Sequence, residues 1–531
     1  MMKEKTSLNH MLVIVLLYSG ITGMITGLFL YLFRYLSSLL LELTYSIYLS
    51  VQSNLWYLPF FVIGLVVLAY LVSLLIKWEP HAGGGAISRA AGFVRGILLF
   101  NWLKTLISTF ISAQLVFFAG LPFGIEGPSV IMGTAISGGV DDLGKAHPAH
   151  RKYLLTAGAS AGFSIATGSI FAGTIFTLEE MHKKFSFMLL SVAMSGAVFA
   201  SVTMRILDYV FGNHTAFFSL TNEFKSIPFE FIWLAPLLGI GAGLLAAGFN
   251  FLIDFFGNMS AYKFKKVPLF VKLTINFLLV GFVGLFVIET IGNGHHSIIE
   301  PLFDRQFSFG MIVLLIVLKI ITIVVSSSSG TTGGLFIPVL VIGALYAGIF
   351  NEVSILIGLN SEYTAAIVLI GMSVFFSTSM QAPITTIAFI IEASLHPETI
   401  IFMMVAILAG ILIAELLHMK PLNEIALKRF MKIQDQNRVW NLYNVKATIQ
   451  ENAFVIGKTV RDILWPANTL IKELIQENQQ NATNIAVHGG DRVLTYRDQI
   501  LFQIQSFDIE RTLKELQDLI GIQEVEIELI R

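Results

Sequence analysis

The sequence predicts an all-α polytopic membrane protein that carries a small cytosolic α+β domain. Of its 531 residues, 55% are hydrophobic and 13% are charged, against roughly 25% charged in soluble domains. Apolar runs recur from 11–33 and 57–76 as far as 407–417, and a run of about 20 residues crosses roughly 30 Å of hydrocarbon. The first run is too long for a signal segment and no cleavage site follows it, so we expect it to be retained.

Charge and cysteine content exclude several classes of protein. The net charge of −1 argues against a nucleic-acid binder, and the absence of cysteine excludes disulfides and thiolate metal sites. Basic residues cluster at the N-terminus, at 145–152, at 182–184 and after Met419. The positive-inside rule therefore places both termini in the cytoplasm, and we expect a multi-pass protein of a bacterial plasma membrane.

The apolar pattern stops at Lys420-Pro421, which predicts a membrane domain over 1–424, a charged linker or helix over 425–436 and a cytosolic domain over 437–531. Within that domain the patterns predict a strand at 439–449, a helical region covering 457–465 and 469–478, and two strands around a turn at Gly489-Gly490-Asp491. A terminal amphipathic helix is predicted at 511–521, ended by Gly521.

An internal repeat is visible in the membrane domain. GIEGPSVIMG (124–133) and GLFIPVLVIG (334–343) share the pattern G-x-x-x-P-x-x-x-x-G at an offset of 210 residues. SIFAGTIFTLE (169–179) and APITTIAFIIE (382–392) align at an offset of 213 residues. The repeats are predicted to cover about 11–211 and 230–420. Paired helices interrupted by glycine and proline are typical of transporters whose site lies between the halves; two unrelated kinks are the alternative.

Three segments combine a glycine-rich start with an apolar helix: GGGAIS (83–88), GIEGP (124–128) and GGLFIP (333–338). A helix that begins inside the membrane presents free N–H groups and the positive end of its dipole. Several such ends form an anion site. Because the three motifs contain no lysine or arginine, a small monovalent anion fits better than a phosphate.

These three motifs resemble the signature segments of the CLC family of chloride channels and proton-coupled chloride transporters. FTLEEMHKKF (176–185) and KPLNE (420–424) match two further segments, so the likeness covers roughly 10–425. The resemblance implies the CLC fold with two inverted-topology repeats, chloride transport without a cofactor, and a homodimer in the lipid bilayer with one pore per subunit. It also implies that the chain is not an enzyme.

The resemblance assigns roles to two glutamates. Glu126 corresponds to the gating glutamate, which competes with the anion as a tethered carboxylate; a helix-capping role is the alternative. Glu180 corresponds to the internal proton acceptor, and a surface glutamate paired with nearby lysines is the alternative. In the repeat Glu126 aligns with Phe336 and Glu180 with Ala393, whereas Glu179 aligns with Glu392. The predicted anion-binding residues are Gly84, Gly85, Ala86, Ile125, Glu126, Gly127, Leu335, Phe336 and Asn423.

The sequence departs from the family at two hydroxyl donors of the central anion site. Gly85 stands in place of a serine, and Asn423 in place of a tyrosine. Each lost neutral hydrogen bond weakens binding by roughly 0.5–1.5 kcal/mol, so we expect a more permissive site with looser coupling. Chloride remains the expected anion, nitrate or bromide is expected to pass, and Pro128 argues against the fluoride branch.

Proton-coupled chloride antiport is therefore the leading prediction, and a passive chloride channel on the same scaffold is the alternative. An intramembrane hydrolase built on Glu179, Glu180 and His182, or on His295 and His296, is disfavoured because HExxH spacing is absent. No catalytic residue and no metal site are predicted.

The segment 437–521 resembles the TrkA-C (RCK-C) regulatory domain of potassium channels, through GKTVRDI and GGDRVL. The resemblance implies dimerisation and a small regulatory ligand, which is cyclic di-AMP in several families. An assembly domain without a ligand is the alternative.

Overall fold

The computed structural model describes residues 2–144, 147–212, 225–394, 397–434, 440–475, 483–484, 490–521 and 525–530. Their α-helices in the first half are α1 Met2–Ser53, α2 Leu58–Trp78, α3 Ala86–Val94, α4 Trp102–Phe118, α5 Glu126–Gly144, α6 Arg151–Thr167, α7 Ile170–Phe176 and α8 Phe187–Phe211. Those that follow are α9 Leu234–Asn258, α10 Leu269–Phe286, α11 Glu300–Phe303, α12 Phe309–Ser329, α13 Phe336–Leu356, α14 Thr364–Met380, α15 Pro383–Ser394, α16 Ile400–Leu416, α17 Leu422–Gln434 and α18 Ile509–Ile520.

Nine helices in the described ranges are long and apolar enough to cross a membrane, from Val15–Ser53 to Pro397–Leu416. Many of their large apolar side chains are exposed on the outer faces of the helices, where lipid replaces water as the solvent. The prediction of a helical, multi-pass membrane protein is therefore confirmed.

The same helix packing recurs in both halves of the membrane domain. Gly133 of α5 lies directly against Gly158 of α6, and Gly343 of α13 lies against Gly371 of α14. The two pairs differ by the offsets of 210 and 213 residues found in the sequence. Glycine is needed at these positions because an added Cβ atom would overlap atoms of the facing helix.

Two repeat-related glutamates cap each other's helices. The Glu179 carboxylate, beyond the end of α7, accepts from the N–H groups of Ile384 (3.0 Å) and Thr385 (2.7 Å) at the start of α15. The Glu392 carboxylate, within α15, accepts from the N–H groups of Ile170 (2.7 Å) and Phe171 (3.0 Å) at the start of α7. A carboxylate at a helix N-terminus satisfies unpaired N–H groups and complements the dipole, so each repeat completes a helix of the other.

The C-terminal domain is a five-stranded antiparallel sheet with α18 beside it. Its strands are β1 Asn441–Thr448, β2 Thr469–Ile475, β3 Thr483–Asn484, β4 Gln499–Ser506 and β5 Glu526–Leu529, in the order β3-β2-β4-β1-β5. The predicted first strand and terminal helix are confirmed, and α18 ends at Gly521.

The predicted helical region is wrong. Residues 469–475 form β2, and within 457–465 only Val460–Asp462 makes a short 3-10 turn. The turn predicted at 489–491 lies partly outside the described residues. Helix α17 occupies most of the segment predicted as a linker or helix.

One turn of the C-terminal domain docks onto the membrane domain. Backbone carbonyls of Asp462, Ile463 and Trp465 accept hydrogen bonds from Tyr153 (2.7 Å), Lys184 (3.1 Å) and Lys152 (3.1 Å), respectively. A hydrophobic cluster continues across this contact, from Leu189 and Tyr153 to Phe454 and Leu519. The two domains therefore share a core.

The docked interface contains two groups whose protonation opposes folding. Burial lowers the pKa of the His150 imidazole to about 4, with help from His147 and Lys458. Burial also lowers the pKa of the Lys458 ammonium to about 6, partly offset by Asp462. In each case the unfolded state holds a proton that the folded state releases, so the free energy of unfolding decreases as the pH falls. For Lys458 the decrease occurs between pH values of roughly 10.5 and 6, and for His150 between roughly 6.5 and 4.

We therefore expect the melting temperature of the full chain's C-terminal domain to decrease on acidification, measured by scanning fluorimetry between pH 9 and pH 5. Lys458→Met removes one of the titrating groups and should flatten the decrease above pH 6, since a neutral side chain carries no proton linkage. Lys446→Met, at an exposed position on β1, should leave the slope unchanged. Equal slopes in wild type and Lys458→Met would contradict the assignment.

Candidate functional site

Three interrupted helices begin beside one another. A Cβ atom added to Gly127 in the first turn of α5 would lie 2.7 Å from the Cα of Gly334, just before α13, and 3.2 Å from the Cβ of Ala86, the first residue of α3. Gly85 precedes α3 in a left-handed conformation with φ of 75°, which glycine adopts without strain. The predicted convergence of helix N-termini is present in the fold.

The glycines that open the two repeated motifs, Gly124 and Gly334, are hydrogen-bonded to each other. The N–H of Gly124 donates to the carbonyl of Gly334 (2.9 Å), and the N–H of Gly334 donates to that of Gly124 (3.1 Å). This isolated antiparallel β-bridge is not part of strands β1–β5. It joins two positions that the repeat makes equivalent.

Glu126 is completely buried, with 0% exposure. Its side chain folds back on Gly124, where an added Cβ would overlap Oε2. N–H groups of Glu126 itself and Ile337 lie near the carboxylate, yet both oxygens lack a hydrogen-bond partner of proper geometry among the described residues. A buried carboxylate without partners is costly, so its place at helix N-termini calls for a functional reason.

A cavity of about 380 Å³ lies beside the starts of α3 and α13; we call it the proximal cavity. Five of the predicted anion-binding residues line it: Gly84, Gly85, Ala86, Leu335 and Asn423. Four cationic side chains also line it: Arg89, Lys265, Lys272 and Arg429. The positive charge favours anions in the cavity.

A second cavity of about 310 Å³, the distal cavity, is lined by Ile125 and by Arg34, Glu42 and His295. Phe123 lines both cavities. On α1, Val15 packs in the cluster that includes the C-terminal domain, and Arg34 lies about 28 Å further along at 1.5 Å per residue. The distal cavity therefore lies on the side away from the C-terminal domain. The other predicted anion-binding residues, Glu126, Gly127 and Phe336, line neither cavity.

Glu180 lies in a π-helical segment, Thr177–His182, and is 3% exposed. Its Oε1 accepts from the Lys183 ammonium (2.7 Å) and its Oε2 from the Asn423 amide (2.9 Å). The lysine pairing of the alternative interpretation is thus present, but the glutamate is not on the surface. Asn423 faces both the proximal cavity and Glu180.

An aromatic cluster connects the surroundings of the two glutamates. Phe336, at the start of α13, packs edge-on against Phe163 (5.0 Å between ring centroids), which stacks on Phe176 (4.1 Å) at the end of α7. Phe376 and Phe389 also contact Phe336. Apolar rings thus pack between the start of α13 and the end of α7.

Gly85 shows why the expected serine hydroxyl is absent. A Cβ atom at Gly85 would lie 2.9 Å from the Phe430 ring and 3.3 Å from Ala426. The Phe430 ring in turn stacks under the Arg89 guanidinium at 4.1 Å. An α17 side chain therefore fills the space of the missing side chain.

Sequence reasoning missed the cations of the proximal cavity and Arg95. Arg95 donates to the carbonyl of Glu180 (3.1 Å) and to that of Met181, and it pairs with Glu424 (3.0 Å). The sequence does contain a signal for cations at the cavity, because Lys263, Lys265 and Lys266 follow a long apolar run. Arg95 had none, because its partners lie more than eighty residues away in sequence.

Two repeats with interrupted helices, an anion-attracting cavity and a buried carboxylate define a polytopic membrane protein with an ion pathway between its halves. The sequence profile of the family described as voltage gated chloride channel matches residues 64–415. The chain belongs to this family, the CLC family.

Curated relatives include the H⁺/Cl⁻ exchange transporter ClcA of Salmonella gallinarum, 29% identical over 399 residues, which cover 74% of this chain and 83% of the relative. ClcA of Yersinia pestis is 29% identical over 421 residues, which cover 76% of this chain and 84% of the relative. Both are transporters by name.

Solved structures share the fold. The crystal structure of a slow cyanobacterial Cl⁻/H⁺ antiporter has a TM-score of 0.72 at 24% identity and covers 80% of this chain and 99% of that one. A CLC-type fluoride/proton antiporter has a TM-score of 0.63 at 17% identity and covers 78% and 98%. The CLC fold predicted from the signature motifs is confirmed.

Proposed function

We propose that the chain exchanges chloride for protons across the membrane. The observation that carries the proposal is the buried carboxylate of Glu126, which has no hydrogen-bond partner among the described residues and lies where three helix starts meet. The names of the ClcA relatives agree with it. Liposome reversal potentials under opposed chloride and pH gradients test it: an absence of chloride-driven proton movement would overturn antiport and favour the channel.

In this mechanism Glu126 is the gate. Its ionised carboxylate occupies the place that an anion would take at the helix N-termini, and protonation removes that competition. Chloride reaches the site through the proximal cavity, where Gly84, Gly85, Ala86, Leu335 and Asn423 contribute backbone and amide groups, and leaves past Phe123 and Ile125 on the distal side. Gly127 and Phe336 bring the α5 and α13 N–H groups to the anion.

Glu180 is the proton acceptor on the side of the C-terminal domain. Each of its oxygens accepts one hydrogen bond, from Lys183 or from Asn423, and keeps a second lone pair that can take a proton. The aromatic cluster offers the proton no hydrogen-bonding side chain, so water that enters with the anion has to bridge the two carboxylates. Proton transfer is thus tied to anion occupancy, which is the condition for exchange.

Glu180→Gln should therefore abolish chloride-driven proton uptake into proteoliposomes while chloride flux persists, because the amide keeps the side chain's size but cannot take a proton at neutral pH. Glu362→Gln, at an acidic side chain that pairs with Lys225 and lines neither cavity, serves as the control and should leave both fluxes unchanged. Wild-type proton uptake by Glu180→Gln would remove this residue from the route.

A looser, more channel-like exchanger is the second candidate, and the Phe430 ring against Gly85 favours it. The serine hydroxyl cannot be restored without moving that ring, so the central anion is held chiefly by N–H groups. Chloride, bromide and nitrate should then be transported at similar rates. A strong preference for chloride in a flux assay would contradict this candidate.

We infer that the C-terminal domain regulates transport from the cytoplasmic side. Its docked turn contacts Lys184, four residues after Glu180, and Arg511 donates to the carbonyl of Gly96 (3.3 Å), next to Arg95. Movement of the C-terminal domain would therefore reach Lys184 and Gly96, which are adjacent in sequence to Lys183 and Arg95 beside the acceptor. The TrkA-C resemblance suggests a small ligand such as cyclic di-AMP. A homodimer suits the symmetry of such domains. Measuring chloride flux with and without cyclic di-AMP tests the ligand.

A further inference from the structure

The loop before α11 brings together two imidazoles and a carboxylate. His295, His296 and Glu300 form the one group of three histidine, aspartate or glutamate side chains in the described ranges whose donor atoms lie within 4.8 Å of one another. None of the three belongs to the proposed exchange mechanism. In the sequence the adjacent histidines indicate nothing by themselves, because Glu300 joins them only after the chain has turned.

The separations suit a transition metal. Nδ1 of His296 lies 2.8 Å from Oε1 of Glu300, and Nδ1 of His295 lies 4.0 Å from the same oxygen. The two imidazole rings are 4.5 Å apart at 79°. A tetrahedral zinc ion with bonds of about 2.0–2.1 Å needs donors roughly 3.3 Å apart, so small side-chain rotations would bring all three into range.

The backbone that carries these ligands is firmly held. The N–H of Gly292 donates to the carbonyl of Gly120 (3.0 Å), and the Lys319 ammonium donates to the carbonyls of Thr290 and Gly292 (2.9 Å each). Asn293 accepts from the N–H of His295 (3.0 Å). A π-helical turn, His295–Ile299, then places Glu300 four residues after His296, so the donor set is preorganised.

The cluster lies at the mouth of the distal cavity, whose lining includes His295, His296 and Ile125. His295 is 7% exposed, whereas the side chains of His296 and Glu300 are 73% and 52% exposed. One ligand is thus anchored in the protein and two are open to solvent. An ion from solution can reach them, and a fourth position stays free on the cavity side.

We propose that His295, His296 and Glu300 bind a divalent transition-metal cation of the Zn²⁺ class at the mouth of the distal cavity. Three protein ligands leave a fourth position for a water or an anion. A chloride ion that passes the mouth can occupy that position and be retained there. The bound metal therefore slows anion passage; this second part rests on the proposed transport function, whereas metal binding does not.

Calorimetric titration of the purified full chain with ZnCl₂ in excess Mg²⁺ tests the binding. We expect wild type to bind one more Zn²⁺ per chain than His296→Ala. We expect Glu300→Gln to weaken that site by at least roughly 10-fold, since the loss of even an outer-shell partner of a metal ligand has an effect of this size. Glu362→Gln should titrate like wild type. Equal Zn²⁺ stoichiometry and affinity in wild type and His296→Ala would overturn the site, and matching melting curves establish that the exposed substitutions leave the chain folded.

Chloride efflux from proteoliposomes, with and without Zn²⁺, tests the second part. Zn²⁺ should slow wild-type efflux several-fold and leave His296→Ala unaffected. Saturable binding with unchanged efflux would overturn the effect on passage and keep the site. Failure of proton coupling in the liposome assay would leave the calorimetric result untouched, so the two proposals fail separately.

Discussion

Glu126→Gln should transport chloride without moving protons, and its chloride flux should no longer depend on pH. The amide has nearly the shape of the protonated acid but neither competes as an anion nor exchanges a proton in this range. Because the wild-type carboxylate is buried and has no hydrogen-bond partner in the part of the chain that the structure describes, its charge is the property that the substitution removes. Parallel recordings of chloride efflux and internal pH in proteoliposomes at several pH values measure both quantities.

Glu180→Gln is the matched comparison. It should lose proton movement but keep the pH dependence of chloride flux, since the Glu126 gate remains intact. Retained pH-dependent, proton-coupled exchange in Glu126→Gln would remove the gate from the mechanism. Identical behaviour of the two variants would show that gate and acceptor are not separate stations.

Glu179→Ala should lower the free energy of unfolding of the membrane domain more than the equivalent change at its repeat partner, Glu392. It removes three charge-assisted hydrogen bonds at the start of α15, two from N–H groups and one from the Thr385 hydroxyl. Each is worth about 1.5–3 kcal/mol, for a total of about 4.5–9 kcal/mol. Glu392→Ala removes the equivalent bonds from α7, with a smaller expected loss because Glu392 is half-buried and water can replace it. Thermal unfolding in detergent ranks the variants.

Glu230→Ala, at an exposed glutamate in a short 3-10 turn, is the control and should melt like wild type. Glu179→Gln, which keeps one acceptor oxygen, should fall between wild type and Glu179→Ala, so the ranking survives if the alanine variant fails to fold. Melting of Glu179→Ala at the wild-type temperature would contradict the capping role.

The repeat in the sequence anticipated much of this architecture. The shared offset paired Gly124 with Gly334 and Glu179 with Glu392, and both pairs have equivalent roles in the fold. Backbone breaks need glycine and proline wherever they occur, so such positions are visible in the sequence alone. The mutual capping by Glu179 and Glu392 could not be predicted, because the repeat shows that two positions are equivalent but not which residues they contact.

The misassigned strand β2 has a physical explanation. Its buried residues Ile471 and Leu474 are three apart, which is the spacing of a helix face. A register shift between Ile471 and Glu473 in the pairing with β4 inserts one residue and turns both side chains inward. A bulge of this kind has no signature in a single sequence. The cavity cations and the Phe430 ring were equally hidden, since they depend on how distant helices pack.

The Gly124–Gly334 bridge limits how the pathway can open. Its two hydrogen bonds tie the halves together at the level of the gate, so rocking the halves apart would have to break both of them. The bridge therefore keeps the two halves at a fixed separation at this point. Each transport cycle should then proceed through side-chain rotations around an almost stationary backbone, and a chemical cross-link between the two halves beside this point should leave turnover intact.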